Sequence, residues 1–134
     1  MIRFRVVLAA ASLLVLAGCG TSDGRAAAAS GVATRMLRAV ADSDGATACA
    51  LLAPRTAAEV ADSQEESCAQ AIVKQHLPAP GAIRSTQVFG QWAQVRLDDD
   101  IVFVAAFGGG WRVVAAGCTP RAQDEPYHCS VQGS

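Results

Sequence analysis

Five cysteines, two histidines and a run of three aspartates are the side chains whose types and spacing could carry chemistry in this chain of 134 residues. Cys49, Cys68, Cys118 and Cys129 lie in the body of the sequence, and Cys19 stands apart at the end of an apolar run. A structural zinc site usually brings a tight Cys-x2-4-Cys pair. Here 18 residues stand between Cys49 and Cys68 and 10 between Cys118 and Cys129. That spacing argues against a metal, even with His76 and His128 nearby, and for disulfides in an exported chain. A catalytic thiol is disfavoured because an exported cysteine near a partner is oxidised. Three pairings are open to four cysteines; Cys49 with Cys68 and Cys118 with Cys129 is the expected one, since each couple flanks one local unit. A bridge closing about 20 residues contributes roughly 3 kcal/mol in the chain-entropy treatment.

The other polar candidates have plainer readings. His76 could transfer protons near neutral pH, but it stands before Leu77-Pro78 at an expected helix C-terminus, where a cationic or hydrogen-bonding group is favourable in any case. His128 lies in the tail beside Cys129. Asp98-Asp99-Asp100 suggests a calcium ligand set, yet three consecutive residues do not all point one way, so a solvated hairpin turn is expected. Gly108-Gly109-Gly110 joins two expected strands and lacks the helix and lysine of a phosphate loop. The expected strands offer Arg84, Arg96 and Arg112 but no Asp, Glu, His or Tyr, so no catalytic constellation, cofactor or metal is expected, and the chain reads as a non-enzyme.

These residues must be positioned by a helical half followed by a strand half. Ala29, Val32, Ala33, Met36, Leu37 and Val40 recur at helical spacing and define one buried stripe. Asp42-Ser43-Asp44-Gly45 ends that helix, and a second covers about Ala46 to Leu52 until the Ala53-Pro54 step. Thr56-Ala57-Ala58-Glu59 and Ser63-Gln64-Glu65-Glu66 both match capping boxes, the second opening a helix that carries Cys68, Ala71 and Ile72 to about His76. Pro78-Ala79-Pro80-Gly81 stops all helix. Four strands are expected beyond it: about Ala82 to Phe89, Gln91 to Leu97, Ile101 to Phe107 and Trp111 to Gly117. Their short connections make each neighbouring pair an antiparallel hairpin. The expected class is α+β, with N-terminal helices packed on a four-stranded antiparallel sheet and a disulfide-bridged tail over 118–134.

Trp92 and Trp111, with Phe103 and Phe107, are the large side chains of that sheet. They either fill the core or line a ligand pocket between sheet and helices. With aromatics at only 5 % of the chain, packing has the first claim on them. Arg112, next to Trp111, is expected to point to the opposite strand face.

The N-terminus carries an address. Arg3 and Arg5 precede the apolar stretch Val6 to Ala17, which is too short for the roughly 20 residues of a membrane span and has the layout of a signal peptide. At its end Leu16-Ala17-Gly18-Cys19 resembles the bacterial lipobox. The resemblance implies cleavage after residue 18 and a diacylglycerol thioether on Cys19, followed by a short tether to residue 24 and one domain over 25–134. Loss of Arg3 and Arg5 would leave nine basic against twelve acidic residues, a formal charge of −3. Such a domain, with a single lysine, suits neither nucleic acid nor electrostatic lipid binding. The expected location is the extracytoplasmic face of the cell membrane, held by acyl chains.

Helices followed by an antiparallel meander, with Gly108 to Val114 entering the last strand, resemble the nuclear transport factor 2-like, or cystatin-like, cone fold. More narrowly, Ala46 to Pro54, Trp111 to Pro120 and Tyr127-His128-Cys129 resemble small lipoproteins of actinobacteria. That resemblance implies fold and disulfides and brings no activity with it. Two functions stay open: a non-enzymatic interaction domain for an envelope protein or cell-wall component, and a small-molecule binder or enzyme using the cone, with Trp92, Phe103, Phe107 and Trp111 as its lining. Oligomeric state is not written in these patterns.

Overall fold

The computed structural model describes residues 22–133, so the expected signal segment and Cys19 lie outside the described residues. Four helices, α1 (Ser22–Ala41), α2 (Gly45–Leu51), α3 (Pro54–Gln64) and α4 (Cys68–Ile72), precede five strands, β1 (Ile83–Phe89), β2 (Trp92–Leu97), β3 (Ile101–Phe107), β4 (Gly110–Thr119) and β5 (His128–Gln132). The strands form one antiparallel sheet in the order β1-β2-β3-β4-β5. The class is α+β, with helices packed against the sheet.

α1 places the stripe from Ala29 to Val40 against β1 to β4, with Ala29, Ala33 and Met36 wholly buried. It starts at Ser22, within the segment expected to be tether, and Asp23 in its first turn suits the positive end of the helix dipole. On the sheet side, alternation buries Ala93, Val95 and Leu97 and turns Trp92, Gln94 and Arg96 to the face away from α1. Val102, Val104, Val113 and Val131 complete the core. Each such aliphatic side chain contributes about 1.5–3 kcal/mol by leaving water.

Four expectations are corrected. The sheet has five strands: β4 runs on through Thr119, and the tail returns as β5, with Cys118 paired to Cys129 and Thr119 to His128. The connection between the two strands, residues 120–127, is longer than a tight hairpin turn, so the tail carries the expected cysteine couple without a hairpin signal. The capping boxes fall elsewhere. Pro54 opens α3 in the first-turn place expected from its fixed φ and missing N–H, so Thr56 lies inside the helix instead of capping it, and Ser67 rather than Ser63 caps α4, accepting from the amide of Gln70 at 3.3 Å. α4 ends at Ile72, and His76 follows as an exposed residue in the left-handed region at φ 54°. Finally, the aspartate turn is only partly solvated, as described below.

The helices reach the sheet at two points. Leu52 bridges Val113 in parallel sense and the Ala53 amide donates to the Val113 carbonyl at 2.7 Å, so the α2–α3 connection lies along β4 where β5 does not. The ladder shifts beside it, pairing Phe103 with Ala115 and Val104 with Val113. Val114 is the extra residue of that bulge. Its carbonyl accepts from Thr56 Oγ1 at 3.0 Å and from the Gly133 amide at 3.1 Å.

Candidate functional site

All four cysteines among the described residues are oxidised. Cys49 bonds to Cys68, tying α2 to α4, and Cys118 bonds to Cys129 across the β4–β5 pair. These are the couples that flank one local unit each, with sequence separations of 19 and 11. The first bond depends on a close approach: a β-carbon on Gly45 would stand 1.9 Å from the carbonyl oxygen of Ala69.

The four aromatic candidates are divided among three places. Trp111 lies half-buried on the helix side, in a groove with Ala27, Gly31 and Val32 of α1, and the Arg25 guanidinium sits 5.4 Å from its ring centroid. Trp92 and Phe107 lie on the face turned away from α1. They line a groove of about 460 Å³ with Pro54, Arg55 and Val114. Phe103 occupies that same outer face but meets Tyr127 edge-on at 5.2 Å and 73°. No single cavity gathers all four; period two puts Trp111 on one face of the sheet and Trp92, Phe103 and Phe107 on the other.

Tyr127 and Asp100, each named only as part of a run in the sequence, have individual roles that come from long-range contacts. The Tyr127 hydroxyl accepts from Gln94 Nε2 at 3.1 Å, so the tail folds back over β2 and β3. Asp100 is 6 % exposed, its Oδ1 accepting from the amides of Ile101 at 2.7 Å and Cys118 at 3.2 Å, while Oδ2 has no partner. Burial raises its pKa above 3.8, against the opposing pull of backbone amides led by Gly117. Asp98 does different work. It accepts from the Ala82 amide at 3.0 Å and pairs with Arg84, and these contacts, the amide first, lower its pKa. Only Asp99 keeps the fully solvated role expected of the whole run.

The remaining candidates are held by neighbours. Arg112 donates to the Ala50 carbonyl in the last turn of α2, a position favourable for a cation. His128 Nδ1 lies 3.4 Å from Arg121 Nη2 on an exposed stretch. Among the described residues no cluster of three or more histidine, cysteine or carboxylate side chains is arranged to hold a metal, and no helix is long and apolar enough to cross a membrane.

The chain matches no protein-family model, no curated protein and no solved structure. The fold and the two disulfides therefore stand as the class description: a disulfide-bonded α+β domain with an open, partly aromatic outer sheet face.

Proposed function

We propose that this chain is a lipid-anchored, extracytoplasmic interaction domain that holds an envelope protein or a cell-wall component near the membrane and performs no catalysis. The observation that carries the reading is cysteine usage. Both described couples are consumed in disulfides, which leaves Cys19, in its Leu16-Ala17-Gly18-Cys19 setting, as the cysteine available for a thioether. Oxidised pairs suit the compartment to which such a leader delivers a chain. A non-catalytic role is supported by the commitments of the polar groups: Arg84 to Asp98, Arg112 to Ala50 and Asp100 to backbone amides. Helices followed by a meander also support the cone-type relationship.

Cell fractionation followed by mass spectrometry tests the anchor. The wild-type chain should sediment with membranes, and its tryptic peptide 19–25 should carry a diacylglycerol mass on Cys19. Cys19→Ala should lose the acyl mass and leave the membrane or remain as uncleaved precursor. A wild-type chain with a free Cys19 thiol, recovered away from membranes, would falsify the reading.

A further inference from the structure

The exposed aromatic side chains cluster at one end of the fold, and it is the end where α1 begins. Phe89 pairs with Trp92 to close the β1–β2 hairpin, and Phe107 pairs with Gly110 to close the β3–β4 hairpin. The Ala106 amide donates to the Gln91 carbonyl at 2.8 Å, linking the two tips. Phe89, Trp92 and Phe107 are 61 %, 55 % and 46 % exposed, and they are three of the four large apolar side chains left open among the described residues. The fourth, Ile83, lies at the far end of β1. The first turns of α1 reach the same end, because Arg25 donates to the Gly90 carbonyl between Phe89 and Trp92, and Ala27, Ala28 and Gly31 face Gly109 and Gly110.

Chain length decides what this end can meet. Three residue steps separate Cys19 from Ser22 and span at most about 10 Å when fully extended. A domain of this size has a radius of gyration of about 13 Å, so its far side stands well beyond that reach. A lipid on Cys19 holds the start of α1, and with it the aromatic tips, at the headgroup layer. Aromatic side chains are favoured at that depth, about 5–10 Å into the boundary between headgroups and acyl chains. Arg55, exposed on the groove that Trp92 and Phe107 share, is placed to donate to lipid phosphate.

We propose that the two hairpin tips form a membrane-seating surface, in which Phe89, Trp92 and Phe107 enter the lipid interface beside the anchor and fix the orientation of the domain. This rests on the lipid-anchor reading. Its consequence is that the opposite end, with the turn at Asp99 and the loop from Pro120 to Pro126, is presented away from the bilayer to a partner.

Trp92 reports on this directly, since the chain has two tryptophans and the other, Trp111, is half-buried against α1. The mature protein is extracted in detergent, weighed, and reconstituted into phosphatidylglycerol-containing vesicles whose acyl chains carry bromine near the headgroup. The expected result is an acylated protein whose tryptophan emission is blue-shifted and quenched by the bromines, with the quenched component lost in Trp92→Phe. Introducing Phe89→Trp in the Trp92→Phe background should restore the quenching and guards against a folding artefact. An acylated, vesicle-bound protein whose Trp92 remains open to aqueous acrylamide and blind to bromine overturns the seating surface and leaves the anchor standing. Protection that rises with protein density, without bromine quenching, assigns the tips to a second copy and also overturns it. Absence of the acyl mass removes the anchor and this proposal together.

Discussion

The Arg25 guanidinium joins α1 to the β1–β2 turn by donating to the carbonyl of Gly90, while lying 5.4 Å from the Trp111 ring. One side chain thus ties the first turn of a helix to two hairpins separated from it by more than 60 residues. The contact lies beyond the N-terminal end of the buried stripe of α1, which begins at Ala29.

Arg25→Ala should therefore loosen one end of the fold. Loss of a hydrogen bond and a partly exposed cation–π contact is expected to cost about 1 kcal/mol. Native-state hydrogen exchange should show faster opening across residues 22–28, with the amides of Met36 and Leu37 unchanged. Arg25→Lys should recover only part of the loss, because an ammonium lacks the planar group that stacks on an indole. Uniform acceleration through all of α1 would mean that Arg25 is not a local tie.

Gly45→Ala tests the seam between α2 and α4. The added methyl would meet backbone, the Ala69 carbonyl oxygen at 1.9 Å, so it cannot be accommodated by a side-chain rotation. Destabilisation of about 3 kcal/mol or more is expected, in the range of severe overpacking. Displacement of α4 should also slow formation of the Cys49–Cys68 bond during oxidative refolding, with Cys118–Cys129 closing at its normal rate. A midpoint of denaturation unchanged from wild type would sink the proposed contact.

Asp100 gives stability a pH dependence opposite in sign to that of Asp98 and Asp44. Burial raises its pKa, so the native state binds the proton more tightly than the unfolded chain. Its contribution to stability falls as pH rises from 3.8 through the raised value. Asp98, held by the Ala82 amide and Arg84, and Asp44, held by Thr47, have lowered values, and their contributions are lost as pH falls below 3.8. Asp100→Asn retains an acceptor oxygen without the charge. The difference in its melting midpoint from wild type should change between neutral and mildly acid pH, whereas a constant difference would exclude the buried charge as the cause. Asp100→Ala leaves the Ile101 and Cys118 amides without their acceptor and should cost at least about 2 kcal/mol at any pH.

Much of the frame was legible because it is written in local periodicity. The stripe Ala29-Val32-Ala33-Met36-Leu37-Val40 fits one helix face, and Ala93-Val95-Leu97 fits one strand face, so burial follows from chain geometry alone. Short connections at Asp98-Asp99-Asp100 and Gly108-Gly109-Gly110 left the flanking strands little alternative to hairpins. The cysteine couples could be matched for the same reason, each lying at the ends of one compact unit.

Long-range choices came from the tertiary structure. β5 exists because the second half of β4 has an unpaired edge; Cys129 points to Cys118 as its neighbour, but no alternating apolar run around Val131 announces a strand. Asp100 turns inward because backbone amides of Ile101 and the distant Cys118 meet there; three adjacent aspartates look alike until such donors arrive. Thr56 becomes a donor to Val114 because a bulge frees that carbonyl. The aromatic end arises in the same way, by the hairpin tips and the start of α1 converging on Gly90 and Gly109. Sequence periodicity determined which faces of each element are apolar, since that depends only on backbone repeat. Which faces meet, and which aromatics stay open to solvent, was decided when distant strands paired and satisfied their backbone groups together.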